Sequence, residues 1–333
     1  MGRLLLALAL MVAGACGGPK ASPSSSADEL SWKSLAPALS KRTEVAAAAL
    51  DGRIHLMGGF IPSGEPTRVV EIYETATDRW ATGPTLPSAV HHAMAASRET
   101  ALYLFGGYPG RALAGATDRA LSLERDRWVE LPPMPEGRAA AGAAVLGDKV
   151  YVVGGVGPLG LLGSSTLVFD IKARRWSSAP GLSVPREHLG VASDATRVYA
   201  LGGRTEQGNL ASAEAFDPST GRWTTLADMP TARGGIAAAV TGNGLVVVPG
   251  GEQSAGTFEE VEAFDIAERR WRSLPSLPTP RHGLGVAAVE TVVYVIQGGP
   301  KPGFSFSDAN ESLDLRPLKQ SQLRAERSQA TPN

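Results

Sequence analysis

Five arginines recur at one place in a repeating frame. Arg42, Arg138, Arg186, Arg233 and Arg281 each stand ten residues after a tryptophan, and Val90 holds the remaining such place. A circle of guanidinium groups around one opening would take an anion, because the planar fork of arginine can grip two oxygens at once. A second series offers these cations another use. Nine residues before a tryptophan come Glu71, Arg119, Leu167, Glu214 and Glu262, with Glu311 at the equivalent last place. Arg42 with Glu71, Arg186 with Glu214, Arg233 with Glu262 and Arg281 with Glu311 then read as ion pairs that tie neighbouring strands. The second unit, with Val90 and Arg119, loses both partners together, which is what pairing requires. Arg138 faces Leu167 and has no carboxylate in this scheme, so Arg138 and Arg119 are the arginines best placed to hold an anion.

Other side chains with chemistry are few. His92 and His188 share the place twelve after a tryptophan, and His282 lies one residue from it, a pattern that suits a structural histidine or a ligand contact. After the glycine pairs, loops that should be polar carry Phe60, Ile61, Tyr108, Leu159, Leu161, Leu162, Phe304 and Phe306. Apolar groups collected on one rim mark either a contact surface or loops packed on one another. No metal-protease, serine-hydrolase, phosphate-loop or dinucleotide motif occurs, and no pair of carboxylates is singled out for acid–base work by its spacing. No metal and no cofactor are expected from these patterns.

The elements that position these residues follow from two interleaved periods. Gly-Gly doublets begin at Gly58, Gly106, Gly154, Gly202, Gly250 and Gly298, every 48 residues. All six tryptophans, Trp32, Trp80, Trp128, Trp176, Trp223 and Trp271, follow at intervals of 48, 48, 48, 47 and 48. Each unit reads as four short strands. In the third they are a small-residue run over 139–146, Lys149–Val153 before Gly154-Gly155, Thr166–Asp170, and a strand opening at Arg175 that stops before Pro180. Alanine runs favour helix, but a helix this short between Gly and Pro would be marginal. Strands crowded round an axis need small side chains, so these runs are expected as the innermost strands. Four strands in a period of roughly 40–50 residues make a propeller blade.

Val150-Tyr151-Val152-Val153-Gly154-Gly155, then Phe169-Asp170, then Trp176, resembles the kelch repeat, and all six units match it over residues 31–315. The resemblance implies an all-β, six-bladed kelch β-propeller with its tryptophans packed between blades. Trp32 precedes the first Gly-Gly, and Glu311–Leu315 is a third strand with no tryptophan strand behind it. The N-terminal strand is therefore expected to complete the sixth blade and remove an exposed edge. Turns between second and third strands, and those between blades, then share one face, where the arginines and the apolar loops meet.

Composition sets the class and the address. With 32 Lys+Arg against 33 Asp+Glu there is no basic field for nucleic acid, and 39 glycines with 24 prolines exclude a helical bundle. Residues 1–15 read as a signal peptide: Arg3, an uncharged run from Leu4 to Val12, then small residues. Ala13-Gly14-Ala15-Cys16 resembles the lipobox of bacterial lipoproteins, which implies lipid modification of Cys16, the single cysteine. Gly17 in place of Asp then favours the outer membrane of the cell envelope. Residues 16–30 are expected to be a flexible linker and 316–333 a loose basic tail. The expected function is a monomeric, lipid-anchored binding module that holds a protein or glycan on its loop face. The alternative is a sugar-directed enzyme resembling the bacterial sialic-acid mutarotases. A resemblance to the copper oxidases of the kelch superfamily is excluded, since their Tyr–Cys crosslink needs a cysteine after Cys16.

Overall fold

The computed structural model describes residues 30–318. The expected signal peptide, Cys16, nearly all of the linker, and the tail from residue 319 onward lie outside the described residues. Within them are six four-stranded antiparallel sheets and two small hairpins. The third sheet runs Gly142–Leu146, Lys149–Val153, Ser165–Asp170 and Arg175–Pro180, from the axis outward. Its outer strand continues through Pro180 instead of stopping before it, as an edge strand can. The small-residue run contributes a strand only from Gly142, because Ala140 has a φ of 52° and leaves the extended region.

The sixth sheet closes as expected. Trp32–Ser34 pairs antiparallel with Asn310–Asp314, in the register Trp32 opposite Leu313. Two further cycles run through the same seam. Every tryptophan indole donates to the carbonyl four residues past the tryptophan of the preceding blade. Trp80 donates to Ala36 at 2.8 Å, Trp223 to Pro180 at 2.9 Å, and Trp32 to Pro275 at 2.8 Å. Six buried apolar clusters fill the six gaps between blades. One joins Met57, Val70 and Leu86 to Leu102, Leu104 and Leu121, and another joins Ile54, Leu56 and Tyr73 to Tyr294 and Ile296 across the closing seam. Second strands such as Lys149–Val153 are buried on both faces by this stacking, which is why they read as continuous apolar runs.

Crowding at the axis selects small side chains. A Cβ on Gly142 would lie 2.4 Å from Val191 Cβ, and one on Gly190 would lie 3.0 Å from Ala238 Cβ. The glycine doublets end the second strands at positive φ. In the sixth blade, however, the doublet is displaced by one residue. Gln297, at φ 56°, takes the place of the first glycine, and Gly298 donates to Arg42 O as the second glycines elsewhere donate to Val90, Arg138, Arg186, Arg233 and Arg281. The uniform period of 48 thus conceals a shift of frame. The buried Gln297 amide bonds Ser40 O at 2.8 Å and Glu71 at 3.1 Å, which locks the closing seam.

Candidate functional site

The arginine series is internal. The side chains of Arg42, Arg138, Arg186, Arg233 and Arg281 are fully buried and lie within their own blades. They meet Glu71 at 3.0 Å (Arg42), Glu214 at 2.8 Å (Arg186), Glu262 at 3.0 Å (Arg233) and Glu311 at 2.5 Å (Arg281). The forks also donate to strand carbonyls, such as Gly58 O from Arg42 at 2.7 Å and Val295 O from Arg281 at 2.8 Å. The anion ring is therefore replaced by four pairs that join the second and third strands to the loop before the first. Arg138 departs from the expectation in detail. It donates to Gly154 O and meets Glu136, two residues away, so it is neither exposed nor without a carboxylate. Arg119 is half-buried and donates to Ser88 and Glu130. Neither holds a free guanidinium toward the axis.

The apolar loop residues divide. Phe60 and Tyr108 are buried: Phe60 stacks on His91 with ring centroids 3.8 Å apart, and Tyr108 lies 5.3 Å from the same ring. Ile61, Leu162 and Phe306 are half-buried. Leu161 and Phe304 are 69 % and 65 % exposed, and Leu113 and Leu159 are exposed as well.

The groups that converge at the axis are different ones. Glu44, His92, Ala140, His188, Gly235 and Gly283 each stand twelve residues after a tryptophan, and all six have φ between 52° and 67°. In this left-handed turn each amide donates to the carbonyl of the equivalent residue one blade back: His92 to Glu44, Ala140 to His92, His188 to Ala140, Gly235 to His188, Gly283 to Gly235, and Glu44 to Gly283. The six bonds, 2.7–3.1 Å long, close a ring around the axial opening. On its loop side is a basin of about 100 Å³ lined by Glu44, Phe60, His92, Leu113, His188, Arg204, Glu252, His282 and Phe304, among others.

Charge in the basin is ordered by hydrogen bonds. Arg204 donates to Glu187 at 3.2 Å and to Glu252 at 2.9 Å, and reaches His188 Nε2 at 3.2 Å. His282 Nδ1 lies 3.3 Å from Glu44 and 3.4 Å from Glu252. Burial opposes a charge on His282, but the Glu44 hydrogen bond and the Glu44 and Glu252 charges outweigh it and raise its pKa. Burial likewise opposes the Glu44 carboxylate, yet His92, His282 and His188 together hold it well below the usual carboxylate range. His91 and His92 are pushed down, to about 4 and about 3, chiefly by burial. His91 Nε2 donates to Gly110 O at 2.8 Å, its Nδ1 meets His92 Nδ1, and the other ring nitrogen of His92 is Nε2. That nitrogen lies 3.2 Å from Glu44 Oε2.

Of these residues, repeat spacing singles out His92 and points to His188 and His282. It misses Glu44, Glu187, Arg204 and Glu252. Comparing the place twelve after each tryptophan would have put Glu44 beside His92 and His188. Arg204 and Glu252 sit on two extra hairpins of equal length, 48 residues apart and directly after Gly202-Gly203 and Gly250-Gly251, a spacing that would have placed them together.

Known proteins agree with this architecture. Residues 161–299 match the KLHDC2/KLHL20/DRC7 Kelch-repeats domain, and residues 41–87 and 137–183 match the Kelch motif. The chain is a six-bladed kelch-repeat β-propeller. Kelch-like protein 36 of Mus musculus is 39 % identical over 62 residues, 18 % of this chain and 10 % of that protein, with the same figures for Rattus norvegicus. Kelch-like protein 34 of Homo sapiens is 32 % identical over 87 residues, 26 % of this chain and 14 % of that protein. The similarity thus spans about a tenth to a seventh of those relatives' length.

Proposed function

We propose that the protein is a binding module that holds a segment of a partner protein across its loop face. One observation carries this reading: exposed Leu113 and Phe304 border a basin lined by Glu44, His92, His188, Arg204, Glu252 and His282. Exposed Leu159 and Leu161 lie in the loop that follows the third glycine pair, equivalent by the repeat. Apolar anchors around polar groups of fixed orientation match the anatomy of a recognition surface. A glycan, or a sugar-directed reaction on an anionic sugar, is supported less well, because Arg204 is already bound by two carboxylates.

Peptides selected from a displayed library on the wild-type protein test this. They are expected to lose at least about tenfold in affinity on the Leu161→Ser/Phe304→Ser protein, since truncated anchors typically cost about 1–2 kcal/mol or more. The thermal midpoint should stay unchanged, because both side chains are exposed. Equal affinity for both proteins, or accelerated anomer exchange of sialic acid, would count against the protein-binding reading.

The proposal includes the address. Arg3, the uncharged run from Leu4 to Val12, and Ala13-Gly14-Ala15-Cys16 support export and lipid anchoring of the module in a bacterial envelope. Expressed in a bacterial host, the wild-type chain should incorporate labelled palmitate and sediment with membranes. Cys16→Ser should do neither, and an unlabelled wild-type chain would overturn the anchor.

A further inference from the structure

We propose that Glu44, His92 and His188 bind one divalent transition-metal ion at the loop-side mouth of the propeller axis. The three side chains come from three different blades and are brought together by the ring of left-handed turns. One donor atom from each lies within 4.8 Å of the others. All three side chains are nearly buried, and His188 Nδ1 makes no hydrogen bond within 3.2 Å, its neighbour being Glu187 Oε1 at 3.4 Å. Among the five histidines of the chain, four (His91, His92, His188 and His282) gather at this mouth.

The geometry suits such an ion. Metal–ligand distances of about 2.0–2.1 Å set donors in a tetrahedral shell about 3.3 Å apart. His92 Nε2 and Glu44 Oε2 are already 3.2 Å apart, and closing the widest separation needs a shift of about 1.5 Å, within reach of a side-chain rotation. Two imidazoles and one carboxylate select zinc, iron, cobalt or nickel over calcium and magnesium, which prefer all-oxygen shells. The outer shell is in place too: His92 is oriented by His91, and His91 by the Gly110 carbonyl. Ala140, Gly235 and Gly283 occupy the other ring positions and bring no donors. On the basin side the donors are bordered by His282, 3.3 Å from Glu44, and by Arg204, 3.2 Å from His188 Nε2.

Tag-free protein stripped with chelator and titrated with Co²⁺ tests the assignment. One ion per chain is expected, with visible d–d absorption that Zn²⁺ abolishes by competition. His92→Ala and His188→Ala should each weaken binding by more than the roughly 10–100-fold loss that an outer-shell change causes. Alanine is tolerated in this turn, since Ala140 holds the equivalent place at φ 52°. Glu44→Gln, of unchanged size, should also weaken binding and serves as the second variant if either alanine protein fails to fold. Absence of saturable Co²⁺ uptake by the wild type, or uptake that survives in folded His92→Ala and Glu44→Gln proteins, would overturn the site.

Discussion

Glu214→Ala is expected to destabilise the propeller by about 3–5 kcal/mol, the usual cost of stranding one partner of a buried ion pair. Arg186 is fully buried, and Glu214 lies 2.8 Å from it while also accepting from Ser183 N at 3.1 Å. Removing the carboxylate leaves a guanidinium with only the carbonyls of Val184 and Ala200 for company. The chain itself shows how to avoid that penalty. Its second blade has Val90 at the arginine place, and its third has Leu167 at the glutamate place. The double replacement Arg186→Val/Glu214→Leu should therefore cost less than Glu214→Ala alone, because no charge is left unpaired. Urea midpoints of the three proteins decide the matter. A Glu214→Ala loss below about 1 kcal/mol, the range of exposed pairs, would contradict a structural role for the arginine series.

Gly106→Ala is expected to be worse still, with a loss above about 4 kcal/mol or a failure to fold. A Cβ there would sit 1.9 Å from the Arg138 carbonyl oxygen and 3.1 Å from Met134 Cε. The carbonyl cannot retreat cheaply, since it accepts from Gly107 N at 2.8 Å in the joint between blades. The φ of 58° adds strain of roughly 1–2 kcal/mol. Strain is the smaller part, because Ala140 and several other non-glycine residues adopt such angles in this protein. Gly110→Ala is the control: a Cβ there meets nothing within 4 Å, so its stability should stay within about 0.5 kcal/mol of wild type. Similar midpoints for the two alanine proteins would show that the glycine pairs do not mark close approach between blades.

Much of this fold is legible in the residue pattern, because a propeller repeats one set of local forces. Six tryptophans each need the same carbonyl, and six second strands need the same burial on both faces. The unmatched ends of the chain have one way to complete a blade. Even the four Arg–Glu pairs can be read, since both partners sit at constant offsets from a tryptophan. Where the period breaks, the pattern misleads. Gln297 replaces a glycine because the closing seam needs an amide on Ser40 and Glu71. Arg138 finds Glu136 on its own loop once its cross-strand place is taken by Leu167.

By itself, then, the amino-acid order determined the number of blades, the closure and four internal ion pairs, all of them contacts that recur at constant offsets from a tryptophan. Only the tertiary structure decided what faces the axis. Glu44, His92 and His188 fill one repeat place in three blades, 48 and 96 residues apart along the chain, and Arg204 and Glu252 fill another in two blades, 48 residues apart. They meet because a closed ring of six brings side chains from several blades within a few ångströms of one another, and that radius is set by packing between blades, which no spacing along the chain records.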